Sequence, residues 1–170
     1  MYCPHCDHLN LPGTDQCVKC QFDLASVDLP SPQDRIEASL MNDTVTVLNP
    51  KVPVTVSVES SLGDALARML DRGVGAVLVT DSTQKLVGIL TERDFLDRAA
   101  GDPDFERRKT SELMTAAPES VEPTDTLAYA VRKMNSGGYR HLPITENGIP
   151  VGVISVRDLL RHVTKLCSRD

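Results

Sequence analysis

The chain has 170 residues, of which 41% are hydrophobic and 25% are charged, and its net charge is −6. This mixture is typical of folded globular domains, whereas the acidic balance argues against non-specific binding to nucleic acid. The sequence contains no run of about 18 apolar residues, so no membrane span is predicted. The N-terminus also lacks the basic and apolar regions of a signal peptide. We therefore expect a cytoplasmic protein whose thiols are reduced.

Four of the five cysteines form two C-x2-C pairs near the N-terminus. Zn²⁺ accepts four thiolate ligands in a tetrahedron, and two such turns would fill its coordination shell and leave no position for water. A segment this short buries too little apolar surface to fold alone, so metal binding would supply the missing free energy. We predict a structural zinc ribbon over residues 1–25, with the ligands Cys3, Cys6, Cys17 and Cys20.

Two other interpretations of these cysteines are disulfide bonds and a redox pair, but a redox C-x-x-C usually adjoins a βαβ pattern, which this segment lacks. His5 and His8 are expected to be exposed or to donate hydrogen bonds near the metal, because four thiols complete the ligand set. The segment resembles the short zinc ribbons at the termini of bacterial and archaeal proteins. Those ribbons have glycine after each metal-binding turn, where this chain has Asp7 and Gln21. With one lysine and three aspartates in residues 1–25, the ribbon is expected to contact protein rather than nucleic acid.

Residues 26–42 are predicted to be a linker that ends in a short helix. Two prolines and their polar neighbours mark this boundary between domains. Ser31 is a candidate N-cap, with Pro32 at the first helical position, and the helix would run over residues 35–41. This helix would lead into the second domain.

The rest of the chain repeats itself with a period near 64 residues. Each copy, at 43–104 and 105–170, predicts the element order β-α-β-β-α. The first helix of each copy has apolar residues at helical spacing, and the short apolar runs that follow are typical of buried strands. The predicted strands are 54–58, 76–79 and 87–90 in the first copy and 119–121, 142–144 and 151–154 in the second.

Several spaced residues coincide in both copies, namely the pairs Gly88/Gly152, Thr91/Ser155, Arg93/Arg157 and Asp94/Asp158. This doubled pattern resembles the CBS domain pair, or Bateman module, over residues from about 40 to 168. The resemblance implies a mixed α/β fold of the α+β type, with two β-α-β-β-α repeats packed as a pseudo-two-fold pair behind the small four-cysteine zinc ribbon. It also implies an adenosine nucleotide as ligand and a homodimer.

The strand-to-helix junction of each repeat is the candidate ligand site. There a hydroxyl and a helix N-terminus can bind phosphate, an arginine can pair with phosphate, and an aspartate can accept both hydroxyls of a ribose. The same spacing is that of a capping box, so the residues alone leave both interpretations open. The resemblance favours the ligand, because in CBS pairs the matching hydroxyl and aspartate contact bound nucleotides. The candidate residues are Thr91, Arg93 and Asp94 in the first repeat and Ser155, Arg157 and Asp158 in the second.

The two junctions are unequal. The second repeat has Arg140 and His141 at positions where the first repeat has Gly75 and Ala76. In CBS pairs an arginine or histidine here often reaches phosphate, so the site of the second repeat is expected to be the better equipped. A surface charge for Arg140 and a structural role for His141 remain alternatives. Adenine is expected beside Thr115, Ala117 and Pro118.

The leading functional hypothesis is a regulatory module that senses an adenosine nucleotide of the AMP, ADP or ATP type and modulates an unidentified partner protein. Catalysis is not expected, because the sequence contains no Gly-x-Ser-x-Gly, no Walker loop and no open metal site. The alternative is a nucleic-acid-binding protein or a ligand-free interaction scaffold that acts through the zinc ribbon. The acidic ribbon argues against nucleic acid.

Overall fold

The structure, a computed structural model, describes residues 2–11, 13–24, 32–99 and 101–168. The chain divides into two compact units, Met1–Asp34 and Arg35–Asp170. No helix in the described ranges is both long enough and apolar enough to cross a lipid bilayer.

The first unit consists of two tight turns, each closed by one antiparallel bridge. The bridges join Tyr2 to Leu9 and Gln16 to Asp23. Its small core contains the buried residues Cys3, Cys17 and Leu24, against which Cys6 and Cys20 pack. A core of this size is much smaller than that of a domain that folds unaided.

The second unit contains both repeats. A 3-10 turn (Val45–Leu48) follows its first helix, a π-helical turn (Phe95–Ala99) continues α3, and another 3-10 turn (Phe105–Arg107) precedes α4. Its helices and strands, in chain order, are α1 (Arg35–Asn42), β1 (Thr55–Ser57), α2 (Leu62–Arg72), β2 (Ala76–Thr80), β3 (Leu86–Thr91), α3 (Glu92–Asp94), α4 (Thr110–Leu113), β4 (Thr115–Ala116), α5 (Leu127–Gly137), β5 (His141–Glu146), β6 (Ile149–Ser155) and α6 (Val156–Cys167).

Helices α2 and α5 begin and end for the same local reasons. Ser61 caps α2 by accepting a hydrogen bond from the Asp64 N–H, and Thr126 caps α5 in the same way. Both helices end at a glycine in the left-handed conformation, Gly73 with φ 57° and Gly138 with φ 65°. Glycine adopts this conformation without a steric penalty, so each helix stops at the same point of the repeat.

The two repeats form two sheets with related topology. In the first sheet β1 pairs with β2 in parallel, β2 pairs with β3 antiparallel, and β3 pairs with β4 antiparallel. In the second sheet β5 and β6 pair antiparallel. Single bridges extend this sheet on both sides, from Val121 to Ile144 in parallel and from Lys51 to Val153 antiparallel.

The segment that leads into each repeat packs against the other repeat. The Val45 N–H donates to the Asp125 carbonyl, and Val45 is fully buried in the core of the second repeat. In the reciprocal position, the Thr110 N–H donates to the Ser60 carbonyl, and Leu113 is buried in the core of the first repeat. The two repeats therefore exchange their lead-in segments.

Each repeat has its own aliphatic core, and a third cluster lies between the sheets. Strand β2 is buried along its whole length, with Val77 and Val79 in the first core. Leu78, which lies between them on the opposite face of the strand, packs with Ile89 and with Val153 of the second repeat. The predicted buried strands are therefore present in both repeats.

The structure differs from the sequence prediction at two places. Helix α1 begins at Arg35, so Pro32 lies before the helix, and the proposed cap Ser31 lies outside the described residues. The strand expected at 119–121 is reduced to the bridge at Val121. In the first repeat the Leu78 N–H donates to the Val54 carbonyl, but the matching Pro143 has no N–H to extend the pairing towards Glu119.

Candidate functional site

The four paired cysteines form a compact cluster in the first unit. Their sulfur atoms all lie within 4.8 Å of one another. Cys3 Sγ lies 3.6 Å from Cys20 Sγ, and Cys6 Sγ lies 3.7 Å from Cys17 Sγ. A tetrahedral zinc ion with Zn–S bonds of about 2.3 Å needs sulfur atoms about 3.8 Å apart. The donor atoms and their spacing therefore fit a closed four-thiolate metal site.

The turns of this cluster adopt a glycine-like backbone without glycine. Asp7 has φ 54° and Gln21 has φ 59°, and their N–H groups donate to the carbonyls of Cys3 and Cys17. These are the positions where related ribbons have glycine, so the backbone of the turn is kept despite the substitution. His5 stacks on Phe22 with ring centroids 5.6 Å apart, which gives this histidine a packing role.

Asn10 is a supporting residue that the sequence analysis did not identify. It is only 4% exposed, and its side chain bridges the two turns. Its amide donates to the His8 carbonyl at 2.9 Å and to Cys17 Sγ at 3.5 Å, and its oxygen accepts from the Val18 N–H at 3.0 Å. Such hydrogen bonds orient a metal ligand and stabilise its thiolate.

The thiols of the cluster ionise unequally. Burial raises the pKa of the Cys17 thiol, but hydrogen bonds from the N–H groups of Cys20 and Lys19 and from the Asn10 amide outweigh it and lower this pKa to about 6. The Phe22 N–H lowers the pKa of Cys20, whereas burial and the neighbouring sulfurs raise it, with a net value of about 12. One thiolate thus disfavours the next, as expected for a cluster whose charge a bound cation would balance.

The second unit contains a cleft of about 800 Å³ between the repeats, which we call the larger cleft. It lies at the junction of β6 and α6, and its volume is within the range of small-molecule sites. Five of the eight candidate residues of the second repeat line it. They are Arg140, His141, Ser155, Arg157 and Asp158.

A second cleft of about 260 Å³, the smaller cleft, lies at the junction of β3 and α3. Its lining includes the predicted residues Thr91, Arg93, Asp94, Thr115 and Pro118, none of which lines the larger cleft. Arg140 and His141 line this cleft as well.

Two of the three adenine candidates lie beside the smaller cleft, and none of the three lines the larger one. Thr115 pairs with Ile89 of the first repeat, and this pairing carries Thr115 and Pro118 to the smaller cleft. Ala117 lines neither cleft, and its N–H donates to the Val87 carbonyl at 3.0 Å. The exchange of lead-in segments is the reason, because each segment joins the sheet of the opposite repeat.

In the larger cleft, the place that Thr115 and Pro118 take in the smaller cleft is taken by the segment 51–54, which the sequence analysis did not propose. Lys51 pairs with Val153, so this segment lies beside the second repeat although it precedes the first. Val52 and Pro53 provide apolar surface there, and Lys51 adds a positive charge. The alignment of Pro53 with Pro118 in the two repeats is the sequence signal that could have identified this wall.

Both junctions form complete capping boxes. Asp158 Oδ2 accepts hydrogen bonds from the Ser155 N–H at 2.9 Å and from Ser155 Oγ at 2.6 Å. Asp94 Oδ2 accepts the same two bonds from Thr91, at 2.8 and 2.6 Å. The structural alternative is therefore realised in both repeats, and it occupies one carboxylate oxygen of each aspartate.

The second carboxylate oxygen differs between the junctions. Asp158 Oδ1 lies 3.0 Å from Arg161 Nη1, whereas Asp94 Oδ1 lies 3.8 Å from Arg98 Nη1. An ionised carboxylate oxygen can accept more than one hydrogen bond, so the capping role and ribose binding are chemically compatible.

His141 lies between the clefts and is half-buried. Burial lowers its pKa below the ordinary value, and the positive charges of Arg140 and Arg157 act in the same direction. The carboxylates of Glu92 and Asp158 oppose this shift. His141 therefore favours the neutral form at neutral pH and can accept or donate one hydrogen bond there.

The profile of the CBS domain family matches residues 39–101 and 111–165, which together are more than half of the chain. The chain belongs to the CBS domain family. It is 34% identical over 118 residues to a CBS domain-containing protein of Arabidopsis thaliana, an alignment that covers 69% of this chain and 22% of that protein. The chain thus spans about a fifth of the length of this curated relative.

Solved CBS domain structures have the same fold. A CBS-domain containing protein of Agrobacterium tumefaciens is 30% identical, with a TM-score of 0.63 over 71% of this chain and 98% of that one. The structure of CBSX2 in complex with AMP matches with a TM-score of 0.64 and 22% identity, over 72% of this chain and 97% of that one.

The two CBS repeats present unequal junctions to their clefts. Helix α6 behind Ser155 has 12 residues, whereas α3 behind Thr91 has three and continues as a π-helical turn. A longer helix presents a better aligned set of peptide dipoles at its N-terminus. The larger cleft is therefore the stronger candidate for an anionic ligand.

Proposed function

We propose that this CBS pair is a regulatory module that binds an adenosine nucleotide in the larger cleft and thereby modulates a partner protein. The observation that carries the proposal is the convergence of Ser155, Asp158, Arg140 and His141 on one cleft of ligand size. CBS-domain proteins are generally regulatory nucleotide sensors, and one protein of the same fold was solved with AMP.

In this proposal each part of the nucleotide has a chemical partner. The free lone pairs of Asp158 accept the ribose hydroxyls while Oδ2 keeps its capping bonds. Arg140 and Arg157 bind the phosphate, and the apolar segment at 52–54 packs against the base. Thr115 and Pro118 serve the smaller cleft in the corresponding way.

Titration calorimetry with AMP and with adenosine tests the assignment. Arg140→Gln is expected to weaken AMP about 10- to 100-fold, which is the usual range for a charge-assisted hydrogen bond, and to leave adenosine nearly unchanged. Arg132→Gln is the matched control, because Arg132 is exposed and lines neither cleft. A wild-type protein that binds neither compound would overturn the proposal.

We further propose that the first unit is a structural zinc ribbon with Cys3, Cys6, Cys17 and Cys20 as ligands. Bound zinc would neutralise the clustered thiolates and hold the two turns together. Metal analysis of the purified protein should give one zinc per chain, which Cys17→Ser should remove. Cys167→Ser is the control, since Cys167 is exposed and outside the cluster. Full zinc content in Cys17→Ser would contradict the assignment.

Self-association is the remaining part of the proposal. Three leucines on helical surfaces of the second unit, Leu70, Leu96 and Leu160, are 72%, 73% and 63% exposed. Burying such residues against a second copy would be favourable, which supports a homodimer. Sedimentation equilibrium should give twice the mass of the chain, and Leu160→Ser should shift the species towards the monomer. A wild-type protein that stays monomeric at high concentration would refute this part.

A further inference from the structure

The two clefts share a wall. Six residues line both of them, namely Gly75 and Glu92 of the first repeat and residues 138–141 of the second. Arg140 and His141 therefore face two candidate ligand sites at once.

The first repeat does not provide an equivalent arginine. A Cβ atom placed on Gly75 would lie 3.2 Å from His141 Nε2 and 3.4 Å from Glu92 Oε2. His141 and Glu92 thus border the space that a side chain at residue 75 would need. One arginine from the second repeat lines both clefts, because the position that would supply the other arginine is Gly75.

The larger cleft contributes two cations that are not engaged elsewhere. Arg161 is paired with Asp158 at 3.0 Å. Among the described residues, no ion pair joins Lys51 or Arg157, and both line this cleft. These two charges, together with Arg140, make the larger cleft the preferred site for a phosphate group.

The smaller cleft contributes a single cation of its own, Arg93. Two of its three carboxylates are paired with cations outside the cleft, Glu119 with Lys133 at 2.7 Å and Asp94 with Arg98 at 3.8 Å. The third, Glu92, has no ion pair among the described residues and adds a negative charge to the cleft. One arginine in a solvent-accessible cleft attracts a phosphate only weakly. The smaller cleft therefore depends on the shared arginine to hold an anion.

We propose that Arg140 makes the two clefts alternative sites for one phosphorylated ligand. A phosphate in the larger cleft engages Arg140 and leaves the smaller cleft with too little positive charge for a second anion. When the larger cleft loses its own cations, the ligand moves to the smaller cleft and still uses Arg140. The inference rests on the proposed function only in placing a phosphate group at Arg140.

Equilibrium dialysis of the full-length protein with inorganic pyrophosphate, and separately with AMP, tests this coupling. We expect one equivalent of pyrophosphate per chain, and binding about tenfold weaker or more in Arg140→Gln. The double variant Lys51→Gln/Arg157→Gln should still bind one equivalent. Adding Arg93→Gln to the double variant should abolish this remaining binding. Arg132→Gln should change nothing.

Two independent equivalents in the wild type would overturn the inference, and so would unchanged binding in Arg140→Gln. Complete loss of pyrophosphate in the double variant would also overturn it, because the smaller cleft would then be unable to accept the anion. If pyrophosphate follows the expected pattern while AMP and adenosine do not bind, the inference stands and the adenylate function falls. If AMP binds as two independent equivalents, the adenylate function stands and the inference falls. If pyrophosphate does not bind at all, the inference is wrong.

Discussion

The two capping aspartates offer a matched test of structure against ligand binding. Asp94→Ala and Asp158→Ala each remove the acceptor of the same two hydrogen bonds, at 2.6 and 2.8 Å in one repeat and at 2.6 and 2.9 Å in the other. The structural part of the effect should therefore be similar in both variants. A loss of ligand affinity should appear in Asp158→Ala alone if the larger cleft is the main site.

The magnitude follows from the lost bonds. Losing the two hydrogen bonds that the aspartate of a capping box accepts costs about 1–2 kcal/mol, and the partly exposed ion pair of Asp158 with Arg161 adds less than about 1 kcal/mol. For a unit of this size such a loss lowers Tm by about 3–6 °C. Neither variant should unfold at room temperature, so ligand binding can be measured on folded protein.

Thermal denaturation and calorimetry with AMP together provide the assay. Both alanine variants should lose similar amounts of Tm. AMP binding should be weakened in Asp158→Ala, which leaves only the smaller cleft to the ligand, and kept in Asp94→Ala. Asp158→Asn retains an acceptor for Ser155, so it should recover most of the Tm and little of the affinity. AMP binding at the wild-type level in Asp158→Ala would refute this assignment of the main site. An equal loss of AMP affinity in Asp94→Ala and Asp158→Ala would refute it as well.

Three further predictions concern other parts of the chain. Gln21→Gly should stabilise the first unit by about 1 kcal/mol and raise its zinc affinity, because Gln21 has φ 59°, and Gln16→Gly should do the opposite; equal chelator resistance of the two variants would contradict this. Gly152→Ala should lower the free energy of unfolding in urea by about 1–3 kcal/mol, since its Cβ would lie 3.0 Å from Pro50 Cβ, and an unchanged midpoint would disprove the contact. Burial lowers the pKa of His141, so the unfolded chain binds its proton first as the pH falls below 6.5, and stability decreases from pH 7 to 5. His141→Gln should show a smaller decrease in Tm over that range, and identical pH profiles would exclude this role.

Local sequence patterns predicted much of this structure. The spacing of the cysteine pairs placed four sulfurs together, and the strand-to-helix junctions were placed at Thr91 and Ser155, where the structure has them. Gly88 and Gly152 align between the two repeats, but the sequence alone does not show what they do. In the structure, the lead-in segment of the opposite repeat crosses each of them, with Met114 over Gly88 and Pro50 over Gly152.

The sequence could not show which repeat each lead-in segment joins. Val45 lies in the core of the second repeat, but hydrophobic periodicity could not have assigned it to either core, because the two copies have nearly the same pattern. For that reason the sequence did not indicate that Thr115 and Pro118 lie beside the junction of the first repeat, and the segment 51–54 was overlooked. Asn10 was missed because its role depends on a turn that forms only when the two cysteine pairs meet.

The exchange of lead-in segments also sets an order of events on the ribosome. The buried residues of the first core have all been synthesised once Leu113 is in place. The core around Val45 is complete only after Leu127, Leu142 and Ile154 have been synthesised. A nascent chain cut at the boundary between the repeats would display Val45 to solvent, and the isolated second half would lack a core residue. We therefore expect that gene fragments encoding one repeat yield insoluble products, and that duplication or transfer of this module succeeds only for the pair.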